Sequence, residues 1–245
     1  MLFFYTDFGS QGPYLGQMEA VIRQIHPTVP VIHLLSNAPT AHPEHSSYLL
    51  AALSRQLPAG SVLLCVVDPG VGGDRYPVVM QADGRWFVGP DNGLFDVVAL
   101  TSQSSQWWII EWRPERLSAS FHGRDLFAPI AARIASHDWN WPKRAYPGPD
   151  LHQTPADIYE IIYTDHYGNL VSGLRYRADH AGHILHLKHH RIPQARTFGD
   201  VPKASLFWYQ NSMNLVEIAA NRARADTLLE AQAGEVFSLE KDGRG

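Results

Sequence analysis

The chain has 245 residues and one cysteine, Cys65, so it can form no internal disulfide. That fits a reducing compartment. Cys65 lies in the apolar run Val62-Leu63-Leu64-Cys65-Val66-Val67, where a small buried hydrophobe is expected. No segment approaches the roughly 20 apolar residues of a membrane span. The apolar stretch Leu2 to Tyr5 meets Asp7 almost at once. It is shorter than the ~7–15 residues of a secretory h-region, so no signal peptide is expected. Lysines and arginines are scattered, the net charge is −4, and no basic stripe marks a nucleic-acid binder. There is no G-x-S-x-G elbow, no P-loop lysine, no internal repeat and no low-complexity tract. The mild acidity suits a cytoplasmic protein with a small-molecule ligand, and neither nucleic acid nor membrane is expected as a partner.

Apolar residues make up 45% of the chain, enough for a sizeable core. The first part alternates strand-like and helix-like patterns. Leu2–Tyr5 reads as a strand. Pro13 can open a helix, and Leu15, Met18, Val21, Ile22 and Ile25 recur at helical spacing until Pro27. Strands are predicted at Val29–Leu35, Ser61–Val67, Val78–Gln81, Trp86–Val88 and Trp107–Trp112. Helices are predicted at Pro43–Leu57, Gly93–Leu100 and Gly123–Ala135. This alternation predicts an N-terminal layered α/β domain, residues 1–140, with a mainly parallel sheet. Residues 141–156 are rich in proline and polar groups and read as a linker. Residues 157–245 carry short β-rich runs and one short helical stretch, Asn221–Ala231. They predict a C-terminal antiparallel β-barrel-like domain, a small barrel or sandwich.

Four segments place charged groups just after strands and beside glycines. In Tyr5-Thr6-Asp7-Phe8-Gly9, Asp7 ends the first strand. It can accept both hydroxyls of a ribose, or serve an Asx-turn. In Val66-Val67-Asp68-Pro69-Gly70-Val71-Gly72-Gly73-Asp74-Arg75, the glycine-rich turn can bring Arg75 back onto Asp68 as a charge-assisted pair, or it is a structural turn with an exposed arginine. Pro90-Asp91-Asn92-Gly93 is a strong turn signal on its own. Ser120-Phe121-His122-Gly123-Arg124-Asp125 precedes a helix, where His122 faces a ligand or stands by as a bystander. His180, His183, His186, His189 and His190 crowd together, but they lack H-E-x-x-H geometry and a carboxylate partner. A solvated strand face is the simpler reading, and no metal is expected.

Taken in order, these segments resemble the S-adenosyl-L-methionine hydroxide adenosyltransferase family, whose relatives make fluorinated and chlorinated adenosines. The matching pieces are TDFG at 6–9, GPYLG at 12–16, VVDPGVG at 66–72 with Arg75, PDNG at 90–93, SFHGRDLFAP at 120–129, Asp165-His166-Tyr167-Gly168-Asn169, and Asn211-Ser212. The resemblance implies an α/β domain followed by a β-barrel, and a homotrimer with the ligand at the subunit interface. It implies a water-activating set of Asp68, Arg75 and His122. It implies that Asp7 holds the ribose diol, that Asp165 and Ser212 hold the methionine amino and carboxylate end, that Tyr167 stacks on adenine and Asn169 bonds its edge, and that Asn92 belongs to the substrate-binding set. Gly12 and Met213 depart from relatives with an acidic residue and an arginine there, which bears on the methionine end.

The implied reaction releases adenosine and L-methionine. Water displaces a sulfonium at the ribose 5′ carbon, and the sulfur departs as a neutral thioether without a general acid. No cofactor is expected, since S-adenosyl-L-methionine is itself the substrate. Two alternatives remain open at this point: a non-catalytic binding module for S-adenosylmethionine or adenosine, and a halide-dependent 5′-halo-5′-deoxyadenosine synthase.

Overall fold

Leu2–Thr6 forms β1, all five residues buried, as a strand covered on both faces must be. In the computed structural model, which describes residues 1–241, β1 pairs in parallel with β2 (Val31–Leu35) on one side and β3 (Val62–Val66) on the other. β3 continues in parallel to β5 (Arg85–Pro90). Antiparallel pairs then add β4 (Pro77–Ala82), β6 (Ser105–Ile110) and β7 (Lys143–Tyr146). The seven-stranded order is β2-β1-β3-β5-β4-β6-β7. β1, β2, β3, β5 and β6 run one way and only β4 and β7 oppose them, so the sheet is mainly parallel.

Helices cover both faces. α1 (Tyr14–Ile25) packs with α4 (Ala128–Ala135), and α2 (Pro43–Ser54) with α3 (Asp96–Thr101). Strand periodicity sorts the side chains. Leu2, Phe4, Leu64 and Val66 join the core formed with Leu15, Met18, Ile22 and Ile130. Tyr5 turns to the other face and donates its hydroxyl to the Ser46 carbonyl on α2 at 2.8 Å. The helix predicted over Gly123–Ala135 opens as a wide π-type turn, Gly123–Phe127, before α4.

The chain divides into two compact units, Met1–Thr154 and a second from Pro155 onward. The segment read as a linker from its composition therefore contains β7, a strand of the first unit. Its last residue, Tyr146, donates a 2.8 Å hydrogen bond to Asp91 Oδ2. Asp96 also lies near Tyr146, and Asp91 and Glu44 lie near Asp96. Burial, then Asp91, then Glu44, push the Asp96 carboxyl from 3.8 up to about 6. Asp96 Oδ1 is buried without a hydrogen-bond partner.

This raised value sets the sign of a pH effect. The folded state prefers the protonated carboxyl, so the ionisation penalty is absent below about pH 4 and complete above about pH 6. The shift is discounted because the group is only half-buried. Asp96→Asn should then stabilise the fold by about 1 kcal/mol at pH 7.5, raising Tm by about 2–4 °C. The gain should vanish at pH 3.5. Thermal melts of both proteins across that range decide it, and a gain that grows on acidification refutes the assignment.

The second unit is built from two antiparallel sheets. One has the order β12-β13-β9-β8, from β8 (Ile161–Thr164), β9 (Leu170–Arg175), β12 (Leu206–Gln210) and β13 (Leu215–Ala220). The other has the order β11-β10-β14, from β10 (His183–Leu187), β11 (His190–Ile192) and β14 (Ser238–Lys241). Isolated bridges join Glu160 to Val236 and Gln194 to Trp208, but the ladders do not close, so the barrel expected from the sequence is not formed. Asn221–Ala231 contributes one short helix, α5 (Ala225–Leu229). The histidine-rich stretch is not uniformly solvated, since His180 is only 5% exposed. Among the described residues no helix is long and apolar enough to cross a membrane. None of them form a group of three or more potential ligands suited to a metal ion.

Candidate active site

The sequence of crossovers creates one special place on the first sheet. β1 leads through α1 to β2 on one side, and β2 returns through α2 to β3 on the other. The carboxyl ends of β1 and β3 flank this reversal, the usual ligand crevice of an open α/β sheet. Thr6 pairs with Val66, so Asp7 and Asp68 emerge there side by side. Burial pushes the Asp7 carboxyl above its ordinary value, and the Asp68 charge adds to the effect. Asp7 Oδ2 accepts from the Ala41 N–H at 3.0 Å.

The glycine-rich turn does what its composition suggested. Gly72 has φ +82°, and a Cβ there would lie 2.6 Å from the Ala119 carbonyl oxygen. Only glycine lets the turn close onto the segment leading to His122. Arg75 then folds back on Asp68. Its Nε lies 3.1 Å from both carboxylate oxygens and its Nη2 2.5 Å from Oδ2. The side chains are 9% and 3% exposed, respectively. The guanidinium also sits over the Phe127 ring, 5.3 Å from its centroid.

Arg75 Nη2 makes a second contact, 2.9 Å from His122 Nδ1. An arginine has only donors, so Nδ1 is the acceptor and the neutral ring carries its proton on Nε2. Burial, then Arg75, hold the imidazole below its ordinary 6.5. His122 is therefore neutral at physiological pH and offers an N–H. Protonation would put a second N–H against the guanidinium. The pH profile of kcat/KM should accordingly be level from about pH 7 to 9 and fall only below about 6.5. An acid limb centred at or above pH 7 would contradict this tautomer.

Asn92 lies at the same place but is engaged with the backbone. Its Nδ2 donates to the Val67 carbonyl at 3.0 Å, and its Oδ1 accepts from the Leu94 N–H at 3.4 Å. It pins the end of β3, directly before Asp68.

The remaining predicted residues come together on the second unit, around a cleft of about 930 Å³ lined by Asp165, Tyr167, Asn169 and Ser212. The turn 165–169 is self-braced. Asp165 Oδ1 accepts from the Asn169 N–H and Oδ2 from Asn169 Nδ2, both at 2.9 Å. Gly168, with φ +84°, leaves room that a Cβ would close, 2.6 Å from Asp226 Oδ1. Arg224 donates to the His166 carbonyl at 2.9 Å and pairs with Asp226. Tyr167 is 74% exposed at the tip, its ring edge-on to His166.

The cleft holds further residues that the sequence reading missed. Glu217 lies in the apolar strand β13, and its burial, with Asp165 nearby, raises its carboxyl above the ordinary value. Tyr209 and Asn211 donate to it at 2.7 and 2.8 Å. The signal was one acid within Leu-Val-Glu-Ile-Ala-Ala, since a charge inside a buried strand needs a reason.

Residues 2–141 match the N-terminal domain of SAM hydroxide adenosyltransferases, and residues 159–238 match the C-terminal domain. The chain belongs to the SAM hydroxide adenosyltransferase family. Within that family it is 34% identical to a Thermus thermophilus protein named (R)-S-adenosyl-L-methionine hydrolase, over 95% of this chain and 96% of that one. A Salinispora arenicola protein of the same name is 31% identical, over 95% and 94%. Among solved structures, an uncharacterized conserved protein from Thermotoga maritima superposes with a TM-score of 0.88 at 27% identity, covering 98% of this chain and all of the other. A conserved hypothetical protein from Thermus thermophilus gives 0.78 at 31% identity, over 97% and 98%.

Proposed function

We propose that this protein is an S-adenosyl-L-methionine hydrolase that forms adenosine and L-methionine. The single observation that carries the reading is the Asp68–Arg75–His122 constellation at the carboxyl ends of β1 and β3. The names of its relatives point the same way. A binding module has no need of a buried carboxylate aligned by an arginine that also fixes a histidine tautomer.

In the proposed step a water oxygen bonds to the ribose 5′ carbon as the C–S bond breaks, and the bonding pair leaves on sulfur as a neutral thioether. Asp68 accepts a hydrogen bond from the water and draws its proton, which passes on to solvent. Arg75 holds the carboxylate in line, and the Nε2–H of His122 orients the water oxygen. Alignment and partial proton transfer together contribute about 10²–10⁴-fold. Asp7 is assigned to the ribose diol, Tyr167 and Asn169 to adenine, and Asp165 and Ser212 to the amino-acid end. We assign Asn92 a supporting place through the Val67 carbonyl. No cofactor or metal is invoked, because the sulfonium needs no further activation. We also propose a cytoplasmic homotrimer, which light scattering should report as three times 27.4 kDa.

The test is incubation with S-adenosylmethionine in chloride-free ¹⁸O-water, with mass spectrometry of the products. Adenosine labelled at the 5′ oxygen, with methionine in equal amount, supports direct attack of water. Product that appears only with added halide favours the synthase reading. Binding without any product favours the binding module.

A further inference from the structure

Glu217 has no part in the step just described, yet it is a carboxylate 5% exposed in the ligand cleft. Among the described residues no cation pairs with it, so it works against fold stability. Each of its oxygens instead accepts from one neutral donor. Tyr209, its register partner on β12, donates to Oε1, and Asn211 Nδ2 donates to Oε2.

The Asn211 amide cannot be turned round. Its Oδ1 accepts from the N–H groups of Met213 and Leu215, each at 2.9 Å, so Nδ2 must face Glu217. The same residue closes the turn through its backbone, with Asn211 N–H donating to the Leu215 carbonyl at 2.9 Å and Asn214 N–H to the Asn211 carbonyl at 3.0 Å. This turn carries Ser212 and Met213 along the cleft wall. A carboxylate is the one side chain that accepts from Tyr209 and Asn211 at once through two separate oxygens.

We propose that Glu217 is a positioning residue for the amino-acid end of the ligand, setting the 211–215 turn, and with it Ser212, through Asn211. The inference rests on the assignment of Ser212 to the amino-acid end. It adds a specificity role, because Asn169, assigned to adenine, is held through Asp165 and not through the 211–215 turn.

The test reverses donor and acceptor. S-adenosylhomocysteine is the probe, since it carries the amino acid and the nucleoside but no sulfonium, and adenosine is the control. Calorimetry gives both dissociation constants and thermal melts give stability. Asn211→Asp sets one carboxylate against another and should weaken the probe about tenfold or more, with adenosine within about twofold. Glu217→Gln alone should cost about three- to tenfold. In the double variant the introduced amide at 217 donates to the introduced carboxylate at 211, whose other oxygen still serves the Met213 and Leu215 N–H groups. Probe affinity should return to within about threefold of wild type.

Single variants with unchanged probe affinity overturn the proposal. So does a parallel loss for probe and adenosine that the double variant leaves uncorrected. Wild type that binds the probe but never turns over S-adenosylmethionine sinks the hydrolase reading, and the variants still decide this one. Wild type that turns it over while the variants bind the probe normally sinks only this one.

Discussion

Asp68→Asn should lower kcat for S-adenosylmethionine hydrolysis by about 10²–10⁴-fold, with KM changed by less than about threefold. Asparagine keeps the size of the side chain and one acceptor for Arg75, but it cannot draw a proton. The loss should therefore fall on the chemical step and leave ground-state binding alone. The variant also leaves the Arg75 guanidinium, 9% exposed, without its counter-ion, and breaking one side of such a buried pair costs about 3–5 kcal/mol. Tm should fall with it, so rates must be compared well below the lower melting point. A variant that stays folded and retains a third or more of the wild-type kcat would remove Asp68 from the mechanism.

Arg75→Lys should reduce kcat/KM by about 10–100-fold although the charge is kept. Lysine is a point charge on a flexible stem. It cannot place one donor between both Asp68 oxygens, a second on Oδ2 and the same group 2.9 Å from His122 Nδ1. The geometry joining base and histidine is what should be lost. Free imidazole rotation should then shift the acid limb of the pH profile upward, because the guanidinium that helps hold the His122 value down is gone and a mobile ammonium replaces it. Steady-state kinetics across pH 5–9 measure both effects. A lysine variant with wild-type kcat/KM and an unmoved acid limb would show that charge alone suffices at this position.

Much of the fold was legible because its signals are local. The continuous apolar run Val62–Val67 is buried throughout, and the helical spacing from Leu15 to Ile25 became α1. β7 was not legible. Lys-Arg-Ala-Tyr has no apolar period, and four residues become a strand only because β6 offers an unpaired edge. The barrel failed for a related reason. Short alternating runs specify strands with one buried face, but whether a sheet closes depends on pairings far apart in the chain.

The candidate site divides in the same way. Asp7 and Asp68 could be placed at strand ends, and the return of Arg75 onto Asp68 spans only seven residues of glycine-rich turn. The contact between Arg75 and His122 spans 47 residues and depends on Gly72 closing against Ala119, which no periodicity records. The hydrogen bond from Asn92 to the Val67 carbonyl spans 25 residues, and the turn motif does not announce it. Glu217 was hidden because its partner Tyr209 lies across a strand pair.

The sequence by itself determined most of the elements, the family motifs and the chemical types available, since hydrophobic period and turn residues act over a few positions. Only the tertiary structure decided which charges meet, which histidine nitrogen carries the proton and which carboxylates are buried. Those properties depend on distance and on the exclusion of water, and both arise when segments remote in the chain pack together.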